Sequence, residues 1–244
     1  MMPYIDIHAR MSTRTAEDYE RLALAGYGII AEPAGWPGWT RRTIAAFENH
    51  FRQLTEFEPE RAAGHGIRYL AWLGASPYEA EDRELVLAIL SRLPRHLERP
   101  NVLGVGGMGL FRGTTNELKT LKDHVDLAVD LGLPALVRTP PLGAKLRGTR
   151  LILDALTGDE RVDPARVLID HAEEHTLEAI LGRGFWAGLT LDSPTGLSPE
   201  RAADLIERFG TERICVNSGC DRDVGSPLAV ARLAAELRRR GHEE

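Results

Sequence analysis

Apolar and polar residues alternate from Tyr4 to Ala9, the period of a strand with one buried face. From Thr15 to Gly26 the interval changes, and Tyr19, Leu22, Ala23 and Gly26 recur at helical spacing. Gly28 to Glu32 predicts a second strand, stopped by Pro33. Around Trp36, Pro37, Gly38 and Trp39 the chain is too rich in Gly and Pro for a regular element, which predicts a long loop. One helix is expected from Thr40 and another to end near His65. Arg68 to Leu73 predicts the third strand, and Glu79 to Leu97 an amphipathic helix with Leu85, Ile89, Leu90 and Leu93 on one side.

The second half repeats the pattern. Strands are expected at Asn101–Leu110, Pro134–Thr139, Val167–His171, Phe185–Leu191 and Arg213–Asn217. Helices are expected at Leu118–Leu131, Lys145–Leu156, Glu173–Leu181, from Ser198, and at Pro227–Arg240. The helix at Ser198 has Pro199 at its first position, but Arg201 stands third, so the reciprocal capping box is missing. Eight predicted strands, each followed by a helical segment, imply right-handed crossovers and a parallel sheet. In one domain spanning 1–244 this is the pattern of an α/β (β/α)8 TIM barrel. An open doubly wound sheet is the alternative.

Composition narrows the function. Hydrophobic residues make up 43% and charged residues 27% of 244, ordinary for a folded domain, which excludes wholesale disorder. Thirty Lys and Arg against thirty-six Asp and Glu leave a charge of -6, which argues against a nucleic-acid surface. No apolar run approaches the roughly 18 residues of a membrane span, and no secretory signal is visible, so a cytoplasmic protein is expected. Cys215 and Cys220 cannot build a disulfide framework. Cys215 is expected to be buried and inert, and Cys220 has no evident histidine partner.

In a barrel, residues at the C-terminal ends of the strands converge on one mouth. The strands offer Asp6, His8 and Arg10; Glu32; Gly107; Arg138 and Thr139; Asp170 and His171; Thr190 and Asp192; and Asn217, Ser218 and Asp221. Asp6, His8 and Arg10 share parity, so all three are expected to point one way, or Asp6 to pair with Arg10. His8, His171 and Asp221 make a plausible zinc or manganese set, with Glu32 as a fourth ligand or base. Arg10 and Arg138 oppose that reading, because a guanidinium repels a cation and cannot ligate. The same two residues suit a phosphate or carboxylate, with Arg147, and also Lys145 and Arg150, adding charge. Gly104, Gly106 and Gly109 match the spacing of a dinucleotide fingerprint, but loop follows them where a helix is required. Small residues there make room for a bulky neighbour or a ligand. Trp36 and Trp39 form either a satellite core or an aromatic wall over the mouth.

Several segments carry a resemblance: Tyr4-Ile5-Asp6-Ile7-His8, Ala31-Glu32-Pro33-Ala34 with Trp36, Gly64-His65-Gly66-Ile67-Arg68 and Leu136-Val137-Arg138-Thr139-Pro140. Arg147-Gly148-Thr149, Val167-Leu168-Ile169-Asp170-His171, Gly184-Phe185-Trp186-Ala187-Gly188, Thr211-Glu212-Arg213-Ile214 and Val216-Asn217-Ser218 continue it. The pattern resembles the TatD-related metal-dependent hydrolases of the amidohydrolase superfamily, and most closely the TatD-like proteins of bacterial ebo-type gene clusters. The resemblance implies a (β/α)8 barrel with two divalent metals at its mouth. It also implies where the chain departs. The second histidine of the first strand falls at Arg10, the bridging acid at Gly107 and the fifth-strand histidine at Arg138. His8, His171 and Asp221 match retained ligand positions, and Glu32 an acidic position of the closer subfamily.

Three functions follow as expectations. The first is a barrel with a degenerate metal site that binds an anionic small molecule through Arg10, Arg138 and Arg147 in a biosynthetic pathway. It is either without turnover or uses Glu32, His8 or His171 as acid or base, with no cofactor. The second is a hydrolase with one zinc or manganese ion held by His8, His171 and Asp221, with Asp170 or Glu32 handling protons. The third is a non-catalytic partner in a biosynthetic protein assembly. Whether Asp192 or Asp223 replaces a lost ligand from an unexpected loop is left open by the sequence.

Overall fold

Eight consecutive strands lie side by side and parallel throughout the sheet, in chain order. The computed structural model describes residues 2–191, 196–222 and 224–242. The strands are β1 (Tyr4–Asp6), β2 (Tyr27–Pro33), β3 (Arg68–Leu73), β4 (Val102–Gly109), β5 (Ala135–Arg138), β6 (Val167–Ala172), β7 (Trp186–Thr190) and β8 (Ile214–Asn217). The helices are α1 (Ala16–Leu24), α2 (Ile44–Arg52), α3 (Glu58–Ala63), α4 (Arg83–Leu90), α5 (Pro94–Leu97), α6 (Thr115–Asp130), α7 (Lys145–Thr157), α8 (Glu174–Leu181), α9 (Pro199–Phe209) and α10 (Ala229–Arg239). A doubly wound sheet reverses its strand order at a switch point. This sheet never does, and the chain forms the (β/α)8 barrel. Residues just beyond the strand ends close the seam. The Gly219 N–H donates to the His8 carbonyl at 2.9 Å, and the Arg10 N–H to that of Cys220 at 2.8 Å.

Alternation along the strands builds two cores. Ala31, Leu70, Trp72, Leu136 and Leu168 fill the barrel interior. Their neighbours Ile30, Ala71, Val137 and Ile169 face the helices and join the larger cluster. Gly106 exists for this packing, since a Cβ there would stand 2.6 Å from the Cβ of Trp72. The glycine run of β4 therefore serves a bulky neighbour.

Some boundaries moved for local reasons. The helix expected over Glu79–Leu97 is two, α4 and α5, because Pro94 has no N–H to continue the ladder. Thr43 caps α2 by accepting the Ala46 N–H at 3.2 Å, and a π-helical stretch, Gln53–Phe57, joins α2 to α3. Ser198 accepts the Arg201 N–H at 3.3 Å, a simple cap at the start of α9. β1 stops at Asp6, whose carboxylate accepts the N–H of His8 at 3.1 Å and that of Ser218 at 3.2 Å. Strand parity ends there. Asp6 clamps the seam and pairs with neither Arg10 nor the mouth.

Candidate metal centre

The end of β6 delivers two groups into one space. Adjacent strand residues ordinarily face opposite sides. His171, however, has φ of 58°, and the β6–β7 register shifts between Ile169 and Ala172. A left-handed residue in such an irregularity costs about 1–3 kcal/mol and re-aims its side chain. His171 Nε2 consequently lies 3.7 Å from Asp170 Oδ2. From β1's end, His8 reaches across the interior and donates Nδ1–H to Asp170 Oδ2 at 2.5 Å. The two imidazoles meet edge to face with centroids 5.2 Å apart. One donor atom from each of His8, Asp170 and His171 falls within 4.8 Å of the others.

Charge is arranged around this trio. Burial alone pushes the Asp170 carboxyl up, but His171 and His8 beside it outweigh that and hold it well below the usual carboxylate range. Asn217 donates its amide N–H to Asp170 Oδ1 at 2.8 Å, fixing the carboxylate from the other side. The amide oxygen of Asn217 is buried without a partner. Burial, reinforced by Arg138, pushes His171 well below its ordinary value, so its ring is neutral. Arg138 donates Nε–H to His171 Nε2 at 3.2 Å. That places the ring proton on Nδ1, which donates to Thr190 Oγ1 at 2.9 Å.

The sequence candidates divide. His8 and His171 come together as expected. Asp221 does not join them. It forms an ion pair with Arg10 and accepts from the Thr13 hydroxyl at 3.1 Å. Asp170 is the acid that the geometry supplies instead, because the β6 bulge turns both members of the Asp-His pair the same way. Glu32 is buried and receives the Ser12 N–H at 2.9 Å, the Ser12 hydroxyl and the Tyr69 hydroxyl at 2.8 Å. Burial pushes its carboxyl up to about 7. It anchors the loop after β1 and is not among the donors of the trio. Arg147 and Arg150 lie exposed on α7, whereas Lys145 is buried and donates to the Thr139 hydroxyl at 3.0 Å and the His171 carbonyl at 2.9 Å. Gly107 has φ of +85°, and a Cβ there would stand 3.0 Å from the Ala34 carbonyl oxygen, so no acid fits this position. Trp36 packs on Tyr78 at 5.1 Å and Tyr78 on Phe111 at 4.4 Å, an aromatic row beside the mouth. Trp39 is exposed and outside it. Cys220 is buried, whereas Cys215, expected to be buried, is half-buried; desolvation raises both thiols, Cys215 to about 11 and Cys220 to about 12. Asp192 and Asp223 lie outside the described residues.

Tyr78 and Phe111 carry no signal in the sequence, since an aromatic residue in a loop reads as packing. An Asp-His pair ending a strand does carry one, but period-two alternation assigns its members to opposite faces. Only the bulge changes that.

Two imidazoles and a carboxylate fit one zinc or manganese ion. They do not supply a bridged pair, because the described residues bring together one group of three donors and no bridging acid beyond it.

No family model matches the chain. An uncharacterized metal-dependent hydrolase of Methanocaldococcus jannaschii is 27% identical over 210 residues, covering 86% of this chain and 81% of that protein. The crystal structure of a TatD-like protein from Archaeoglobus fulgidus superposes with a TM-score of 0.77 at 26% identity, over 97% of this chain and 95% of the other. A TatD homologue from Escherichia coli superposes at 0.70 with 18% identity, over 97% and 89%, a likeness of fold. Fold and site together place the chain among (β/α)8 barrels related to metal-dependent hydrolases. Within that class the chain is a TatD-like protein of the amidohydrolase superfamily, with a partial metal site.

Proposed function

We propose that this protein is a hydrolase that works with a single divalent ion. The observation that carries the reading is the convergence of His8, Asp170 and His171 donor atoms within 4.8 Å at the barrel mouth. These three hold the ion, and Asn217 keeps the carboxylate oriented. When bound, a divalent ion polarises the scissile group and makes water acidic enough to attack near neutral pH. Arg138 stands beside the trio and orients the substrate's negative charge.

The test is hydrolysis of bis-p-nitrophenyl phosphate and p-nitrophenyl acetate by protein loaded with zinc or manganese. The rate is expected to require the ion and to fall about 100-fold or more in Asp170→Asn. Equal rates in loaded and chelated protein overturn the reading.

One observation favours a second reading. Arg138 already spends an N–H on His171 Nε2, which suits a metal-free barrel that binds an anionic small molecule. Undiminished binding of such an anion after exhaustive chelation, with no hydrolysis under any ion, distinguishes it.

A further inference from the structure

Beside the metal centre lies a cavity of about 150 Å³, and His171 and Thr190 belong to both. Arg138 and Lys145 line it. Lys145 is buried and Arg138 half-buried. Asp170 and Asp221 act on Arg138, and Glu173 and Asp170 on Lys145, as counter-charges from beyond ion-pair distance, so both cations keep donors free for a closer anion. Among the described residues, no carboxylate forms an ion pair with Arg138 or Lys145. Their hydrogen bonds go to neutral groups: His171 Nε2 for Arg138, and the Thr139 hydroxyl and His171 carbonyl for Lys145. Glu173 also lines the cavity, and its carboxylate favours the charged form of Lys145 without pairing with it directly. The remaining walls are apolar and flat. Tyr78, Phe111, Pro140 and Leu197 are among them, with the Tyr78 and Phe111 rings tilted by 42° and their centroids 4.4 Å apart. A cavity of about 150 Å³ lined this way accommodates a group the size of a benzene ring.

We infer that this cavity is the substrate's anchoring subsite, and that it takes a compact oxyanion carried on a flat apolar group. Arg138 and Lys145 grip the anion, and the Tyr78–Phe111 wall holds the ring. Two cations favour a doubly charged phosphoryl group over a carboxylate. Lys145 is thus a specificity residue. Sequence position set it among three basic residues of one segment, and burial alone separates it from Arg147 and Arg150. This inference rests on the hydrolase reading for its catalytic meaning, but the anion grip is separable from the metal.

Titration calorimetry with phenyl phosphate, inorganic phosphate and benzoate tests it, on the whole chain after chelation. Phenyl phosphate is expected to bind about 10-fold or more tighter than either of the others. Lys145→Met is expected to weaken phenyl phosphate about 10-fold or more while the melting profile stays cooperative. Because Lys145 also ties α7 to β6, Phe111→Ala serves as the second variant. It is expected to erase the preference for phenyl phosphate over inorganic phosphate and to leave inorganic phosphate binding unchanged. Asp170→Asn separates the two readings. Retained phenyl phosphate binding with lost metal-dependent hydrolysis supports both. Retained binding in a wild type that never hydrolyses overturns the hydrolase alone. No preference for phenyl phosphate, or identical affinities in wild type, Lys145→Met and Phe111→Ala, overturns the subsite.

Discussion

Arg138 donates its Nε–H to Nε2 of His171 across 3.2 Å, so one nitrogen of the metal centre is shared with a permanent cation. Removing that cation takes away a competing donor and a like charge. Arg138→Met is therefore expected to tighten zinc binding about 10-fold, read by competition with a chromophoric chelator. Unchanged or weaker zinc affinity contradicts this relationship.

Restoring the bridging acid is not expected to restore a second ion. Gly107→Glu puts a side chain on a backbone with φ of +85° and a Cβ 3.0 Å from the Ala34 carbonyl oxygen. The strain is expected to cost roughly 1–3 kcal/mol in urea unfolding, with no gain in metal stoichiometry. A stable variant binding two ions shows the second site to be merely unoccupied by chemistry and not blocked by shape.

A buried network behind the mouth makes a separate prediction. Arg41 meets Glu79 with Nε at 2.7 Å and Nη2 at 2.6 Å, and donates Nη1–H to His50 Nδ1 at 2.7 Å. It pins the long loop after β2 to the segment after β3, which includes Tyr78. Glu79→Gln leaves the guanidinium buried and unpaired, which is expected to cost about 3–5 kcal/mol. A loss below about 1 kcal/mol by chemical denaturation shows that water or another group compensates.

Glu32 makes the stability depend on pH. Its ordinary value is 4.5, and burial pushes it up to about 7 in the folded chain. Between those values the folded state keeps a proton that the unfolded state has released. Stability from this group is present below about 4.5 and is lost as pH rises through about 7. The amount is about 3 kcal/mol. Measured against Glu32→Gln, which carries no such proton, wild type is expected to lose stability from pH 5 to pH 8. A difference constant across that range refutes the assignment. His124 acts in the opposite direction. It accepts the Ala75 N–H on Nε2 at 2.9 Å, and burial lowers it to about 4, so acid unfolding gains from its protonation below its ordinary value of 6.5.

The barrel was legible in the chain because strand and helix periods alternate so regularly that only the choice between closed and open sheets remained. Boundaries moved where one residue outweighed its window, as Pro94 did, and as Asp6 did by taking over two backbone donors from the ladder. The site was legible in part. His8 and His171 could be placed from their positions at strand ends. Asp170 was visible as a strand-end acid at the mouth but read as a proton handler and not as a ligand, because a φ of 58° at His171 leaves no mark in the sequence. Arg147 and Lys145 look alike as basic residues two positions apart, and only packing decides which is buried. Asp221 looked available, but Arg10 takes it.

Elemental analysis of protein supplemented with zinc or manganese tests the central claim most directly, comparing wild type, Asp170→Asn and Asp221→Asn. About one equivalent is predicted for wild type and Asp221→Asn, and less than roughly 0.2 for Asp170→Asn at unchanged fold. Two equivalents in wild type, or an ion kept by Asp170→Asn and lost from Asp221→Asn, contradicts it.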